Sequence, residues 1–221
     1  MKHSAITTLL QLNKPNVANA VAYLISGRQD GVSATAARNP YGKNESERQD
    51  LATPRWFFER VSEAFSRYGS FALDVCAKKN SAVVDRYFTK RQDGLKQEWA
   101  RGQGEMNWCN PPFSSAAKWL EKAFEEARRY NAVTVMLLPF RDPAAKWFYR
   151  WAPFAQRITV LVPRLQYYQC GGEGSGFNDN ASFCSCLWLI TRQGVERGIR
   201  DPRHANIDWW NIGKRPEGAR R

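Results

Sequence analysis

The chain has little of several things, and each shortage narrows its class. No apolar run approaches the ~20 residues needed to cross a bilayer, and the N-terminus lacks a signal-peptide hydrophobic core. A cytoplasmic protein without membrane partners is the expectation. Cysteine is sparse and odd in number, five residues with no Cys-x-x-Cys pair, and there are only two histidines. That pattern argues against a disulfide framework and against a structural zinc site, and no metal is expected. Acidic residues are the scarcer charge, 21 against 33 Lys and Arg, leaving a net +12. A positive field of that size attracts polyanions, and nucleic acid is the natural partner.

What remains is ample for a globular core. The chain has 221 residues, 43% of them hydrophobic, enough for one sizeable α/β domain with tails. Nine Trp, eight Tyr and twelve Phe supply core bulk and leave some rings for stacking on bases. Residues 1–50 stand apart as an N-terminal arm. It holds a short helix from Asn16 to about Ser26, then a polar, turn-rich linker from Arg28 to Asp50. A domain over 51–192 and a basic C-terminal tail over 193–221 complete the organisation.

Within the domain, Thr53 can cap a helix that has Pro54 at its first position and Gly69 at its end. Strands are expected over Phe71–Val75, Glu105–Trp108, Val133–Leu138, Arg157–Val162, Leu165–Tyr168 and Cys184–Ile190. Helices are expected over Ser115–Tyr130 and around Pro143–Trp151. The Gly-rich stretch Gln169–Ser182 is a loop. Strands alternating with amphipathic helices imply a mainly parallel sheet covered on both faces, with an antiparallel hairpin near the C-terminus.

The most informative tetrapeptide is Asn110-Pro111-Pro112-Phe113, directly after a strand. Ligands of parallel α/β sheets bind at strand carboxyl ends. Two prolines stiffen the turn and fix the directions of the Asn110 amide and the Pro111 carbonyl. Two such acceptors could hold both hydrogens of an aromatic amine, turn its lone pair toward an incoming methyl group and stabilise the charge that develops. Phe113 could stack on an extruded base.

Several segments occur in an order that resembles the phage-type DNA N6-adenine methyltransferases. They are Thr53-Pro54, Phe71-Ala72-Leu73-Asp74-Val75-Cys76-Ala77, Tyr87-Phe88-Thr89, Asp93-Gly94-Leu95-Lys96-Gln97-Glu98-Trp99 and Asn107-Trp108-Cys109-Asn110-Pro111-Pro112-Phe113. Met136-Leu137-Leu138-Pro139, Trp147-Phe148 and Pro163-Arg164-Leu165-Gln166-Tyr167 follow. The resemblance implies a Rossmann-like class I methyltransferase fold, with S-adenosylmethionine as cofactor and a flipped adenine of double-stranded DNA as acceptor. It also implies a bacterial or phage-infected cell as the setting. Asn110, Pro111, Pro112 and Phe113 would be catalytic. Asp74 and Cys76 would lie in the cofactor loop, Asp93 would accept from the cofactor's adenine amine, and Thr53 and Pro54 would line its methionine side.

The chain also departs from what methyltransferases commonly carry. No glycine-rich loop follows Asp74, and the aromatic after Pro-Pro is Phe rather than Tyr or Trp. The segment that would offer an acid to the cofactor ribose is short, with Asp85 its candidate. Arg141, Arg164 and the Gly-rich loop are candidate base readers, and a short or relaxed recognition sequence is expected. No Pro-Cys pair supplies the nucleophile of a C5-cytosine enzyme. N4-cytosine, RNA-base and protein-glutamine methylation share the loop chemistry, and a non-catalytic DNA-binding module is the alternative from another class.

Overall fold

Leu51–Ala52 forms the short strand β1, and helix α1 (Arg55–Ala64) follows it in this computed structural model, which describes residues 51–169, 176–178 and 183–219. The expected arm over 1–50, with its helix, lies outside the described residues. Pro54 is the extended N-cap of α1 rather than its first helical residue, its carbonyl accepting from the N–H groups of Phe57 and Phe58 at 3.1 and 3.0 Å. Trp56, Phe57, Phe58 and Val61 form the buried stripe. The turn of Ser66–Tyr68 then leads to β2 (Ser70–Asp74).

β3 (Glu105–Cys109) feeds the Pro-Pro turn and helix α2 (Ala116–Tyr130). Trp119, Leu120, Ala123, Phe124 and Ala127 recur on one face of α2 at the spacing a helix needs to bury a stripe. Asn131 ends it in the left-handed conformation, φ 60°. Next come β4 (Val133–Phe140), helix α3 (Lys146–Trp151), β5 (Arg157–Val162), β6 (Tyr167–Gln169), β7 (Gly176–Asn178) and β8 (Cys184–Ile190). Helix α4 (Arg192–Arg200) and strand β9 (Ile207–Asn211) complete the described chain.

The main sheet has the order β2-β3-β4-β8-β5-β9. β2, β3 and β4 are parallel, β5 is parallel to β9, and β8 runs antiparallel between β4 and β5. Alternation decides the two faces. Met136, Leu138, Cys186, Trp188 and Ile190 pack with α2, α3 and α4, whereas Val135, Leu137, Leu187 and Leu189 pack with α1. The mainly parallel α/β fold with helices on both faces is as the sequence implied.

Three expectations change. The antiparallel pairing of consecutive strands near the C-terminus is that of β6 with β7, outside the main sheet, rather than of Leu165–Tyr168 with Cys184–Ile190. The antiparallel member is the lone β8, while β6 pairs with β1 and β7 in a separate three-stranded ribbon. The stretch read wholly as a Gly-rich loop contains β7. The segment read as a basic tail is folded over its described part. Thr191 caps α4 by accepting from the Gly194 N–H at 3.1 Å, and β9 joins the sheet with Asp208 paired to Arg157 and Trp210 against Phe57. Periodicity missed α4 because glycines occupy its buried face. A Cβ at Gly194 would lie 2.4 Å from the Gln156 nitrogen, and one at Gly198 would lie 2.7 Å from the Phe154 Cα. Close packing, not an apolar stripe, holds this helix.

Candidate active site

Asp74 and Asn110 are set side by side by strand pairing. Asp74 ends β2 opposite Trp108 of the parallel β3, and Asn110 follows two residues beyond Trp108. Both therefore occupy the carboxyl edge of the sheet, where parallel strands leave their ligand-binding crevice.

The Asn110 amide is tied to the segment that precedes α1. Its Nδ2 donates to the Leu51 carbonyl at 2.8 Å and to the Thr53 hydroxyl at 3.2 Å. Thr53 was expected to cap α1, but the N-cap position belongs to Pro54 and carries no side-chain cap. Buried to 3% exposure, Thr53 turns its hydroxyl to Asn110 instead. In the turn itself, the Pro112 carbonyl accepts from the N–H and hydroxyl of Ser115 at 2.9 and 3.1 Å. Pro112 is thus committed to the start of α2, and Pro111 is buried beside it.

Phe113 is half-buried against two rings that meet it edge-on: Phe183 at 5.5 Å and 88°, and Tyr167 at 6.2 Å and 73°. Tyr167 is fully buried, and its hydroxyl shares a 2.7 Å hydrogen bond with Ser185. The Arg141 guanidinium lies 4.6 Å over the Phe183 ring. The strand order explains this gathering. β4 ends and β8 begins at the edge where β3 ends, so Arg141 and Phe183 arrive there from elements distant in sequence. Leu51 and Phe183 carried no local signal in the sequence, Ser185 was legible only as part of an expected strand, and Tyr167 as part of a strand and of the motif that ends at it.

The expected cofactor loop is a second, acidic cluster. Asp74 is 2% exposed and accepts from the N–H groups of Cys76 at 3.2 Å and Val83 at 3.3 Å. Burial pushes its pKa up to about 7, the two N–H groups pulling the other way. Cys76 is pushed up to about 12, first by burial and then by the charges of Asp74 and Asp93, so it is a thiol rather than a thiolate. Asp93 is a left-handed residue, φ 54°, with Lys96 on its carboxylate at 3.2 Å. Among the described residues, the sheet is extended beyond β2 by a single bridge, Asp74 to Tyr87. Asp85 is exposed at the start of that segment, and Arg164 is exposed just past β5. A cleft of about 440 Å³ between α1 and β9, lined in part by Arg60 and Trp210, shares no residue with either cluster.

A mixed α/β sheet with an Asn-Pro-Pro-Phe turn and a buried acid at its carboxyl edge is a methyltransferase architecture. Residues 42–204 match the family described as DNA N-6-adenine-methyltransferase (Dam), and the chain belongs to that family. It is 33% identical over 118 residues to the DNA N-6-adenine-methyltransferase of Haemophilus phage HP1, covering 53% of this chain and 65% of that protein. It is 32% identical over 97 residues to the DNA N-6-adenine-methyltransferase of Escherichia phage T1, covering 44% of this chain and 38% of that protein. The chain thus matches less than two thirds of the length of either relative. Among the described residues no helix is long and apolar enough to cross a membrane.

Proposed function

We propose that this protein methylates the exocyclic N6 of adenine in DNA, with S-adenosylmethionine as donor. The observation that carries the reading is the Asn110 amide, tied down through Nδ2 at the sheet edge in a chain of the Dam family. With Nδ2 occupied, Oδ1 is the atom available to accept from a substrate amine. Together with the Pro111 carbonyl it holds both N6 hydrogens and turns the lone pair out of conjugation. The same acceptors stabilise the positive charge that grows on nitrogen as the methyl is transferred. Phe113, braced by Tyr167 and Phe183, offers a ring face to a flipped base.

The acidic cluster fits the donor. An acid at the end of β2 suits an ammonium group, and the Asp93-Gly94 turn closes directly on that strand end because Gly94 lacks a Cβ. Asp74, Cys76 and Asp93 would hold the donor, with Thr53 and Pro54 flanking it. When bound, S-adenosylmethionine supplies an electrophilic methyl group and takes up the electron pair of the broken carbon–sulfur bond. The net charge of +12 supports DNA as the partner, through its phosphates.

The test is methyl transfer to unmethylated duplex DNA, with the nucleosides resolved by mass spectrometry, for the native chain and Asn110→Ala. N6-methyladenine from the native chain and none from the variant is the expected result. N4-methylcytosine would overturn the base assignment, and no product on DNA would overturn the reading.

A further inference from the structure

We infer that Thr53 is a positioning residue for the Asn110 amide, and that the β1–β6–β7 ribbon sets this amide and the Phe113 ring together. The inference rests on the proposed function and extends it to groups outside the catalytic tetrapeptide.

A primary amide presents an acceptor on one side and donors on the other, and its terminal torsion is soft and nearly two-fold. Turned the wrong way, Asn110 would aim N–H groups at a substrate amine and repel it. What selects the orientation is the character of the atoms facing the amide. The Leu51 carbonyl can only accept, and at 2.8 Å it takes one Nδ2 hydrogen. The Thr53 hydroxyl accepts from the same Nδ2 at 3.2 Å. Thr53 has no competing duty as a helix cap, since that position is Pro54. Its 3% exposure keeps water from replacing the bond.

The Leu51 carbonyl is itself placed by strand pairing. Leu51 and Ala52 pair with Gln169 and Tyr168 of β6, which pairs in turn with β7. β6 also begins at Tyr167, whose ring meets Phe113 edge-on. One short ribbon therefore places both the carbonyl that accepts from the Asn110 amide and the brace for the stacking ring. Neither is held by the main sheet alone.

The experiment compares Thr53→Val, which keeps the shape and removes the acceptor, with Thr53→Ser, which restores it, both in the full chain. Steady-state kinetics give kcat and KM for DNA, and calorimetry gives Kd for S-adenosylmethionine. The expected result is a kcat, at saturating S-adenosylmethionine, about tenfold lower in Thr53→Val, the size of one lost hydrogen bond, with KM for DNA within about twofold. Thr53→Ser recovers most of kcat. A kcat unchanged in Thr53→Val overturns the inference. So does weakened donor binding with kcat intact at saturation, which would place Thr53 on the donor side only. A second readout does not need activity: the side-chain amide resonance of Asn110, identified by its loss in Asn110→Ala, moves in Thr53→Val and stays in Thr53→Ser. If the native chain transfers no methyl group the proposed function fails, while this resonance still decides the contact.

Discussion

A Cβ built on Gly94 would stand 2.0 Å from the carbonyl oxygen of Val75 and 3.2 Å from the Trp119 ring. The turn that carries Asp93 is therefore seated directly on the end of β2. The unusual backbone belongs to Asp93, φ 54°, whereas Gly94 is not among the positive-φ residues and is needed for room. Gly94→Ala should cost about 1–3 kcal/mol, because the clash is with backbone and cannot be relieved by a side-chain turn. The Gly94 carbonyl also accepts from the Trp99 indole at 2.9 Å, so the shift spreads inward. Urea unfolding measures the loss. A variant as stable as the native chain would show that the turn does not sit on Val75.

Asp74 makes stability depend on pH in a defined direction. Its ordinary value is 3.8, and burial raises it to about 7. Between those values the folded chain keeps a proton that the unfolded chain has lost, so stability falls as pH rises across the interval. Below the interval both states hold the proton, and above it neither does. The full effect is on the order of 4 kcal/mol. Denaturant titrations between pH 4 and pH 8 should show the native chain losing stability, and Asp74→Asn following a flatter course. Parallel profiles would mean that the carboxyl is ionised in the fold.

Glu126 is fully buried on α2, and two cations satisfy it. Arg101 reaches it with Nε at 2.9 Å and Nη2 at 3.2 Å, and Lys122 reaches it at 2.6 Å. Arg101 also stacks 3.6 Å over Tyr130, and so ties the segment before β3 to the end of α2. Removing one partner leaves buried charge that the remaining lysine only partly offsets. Arg101→Met should destabilise by about 2–4 kcal/mol. Adding Glu126→Gln should restore part of that, and a double-mutant cycle reads the coupling. Additive losses would show that the pair contributes nothing as a pair.

Phe113 tests the stacking role. Base–aromatic stacking contributes about 1–3 kcal/mol per base, so Phe113→Ala should lower kcat/KM for DNA roughly 5- to 150-fold. Phe113→Tyr keeps the ring face and should stay near native activity. The two are compared at equal folded fraction, since the ring also packs on Tyr167 and Phe183. A loss in Phe113→Ala confined to thermal stability would remove the ring from substrate binding.

The sequence by itself determined whatever depends on near neighbours. The helical stripe of Trp119, Leu120, Ala123 and Phe124 is such a case, since period alone shows a buried face. The apolar run starting at Val133 is another, and so is the stiff turn at Asn110-Pro111-Pro112 after a strand. The ordered segments from Thr53 to Tyr167 made the family legible as well. Tertiary structure decided everything that depends on which distant atoms meet. Asn107 lies in β3 as its run implied, but the fold alone gives its amide partners, accepting from the Ala100 N–H at 2.9 Å and donating to the carbonyls of Ala100 and Val133. β6 could as well have joined the main sheet, and it pairs instead with β1. The basic stretch after Thr191 shows no apolar stripe for α4, whose buried face is largely glycine. β9 is held at the sheet edge by its pairing with β5, by Trp210 against Phe57 and by the Arg157–Asp208 ion pair. Thr53 before Pro54 satisfies the local rules for a cap. Only the arrival of Asn110, 57 residues away in the chain, gives its hydroxyl a different partner, because a hydrogen bond is decided by the distance between atoms in the fold and not by their order along the chain.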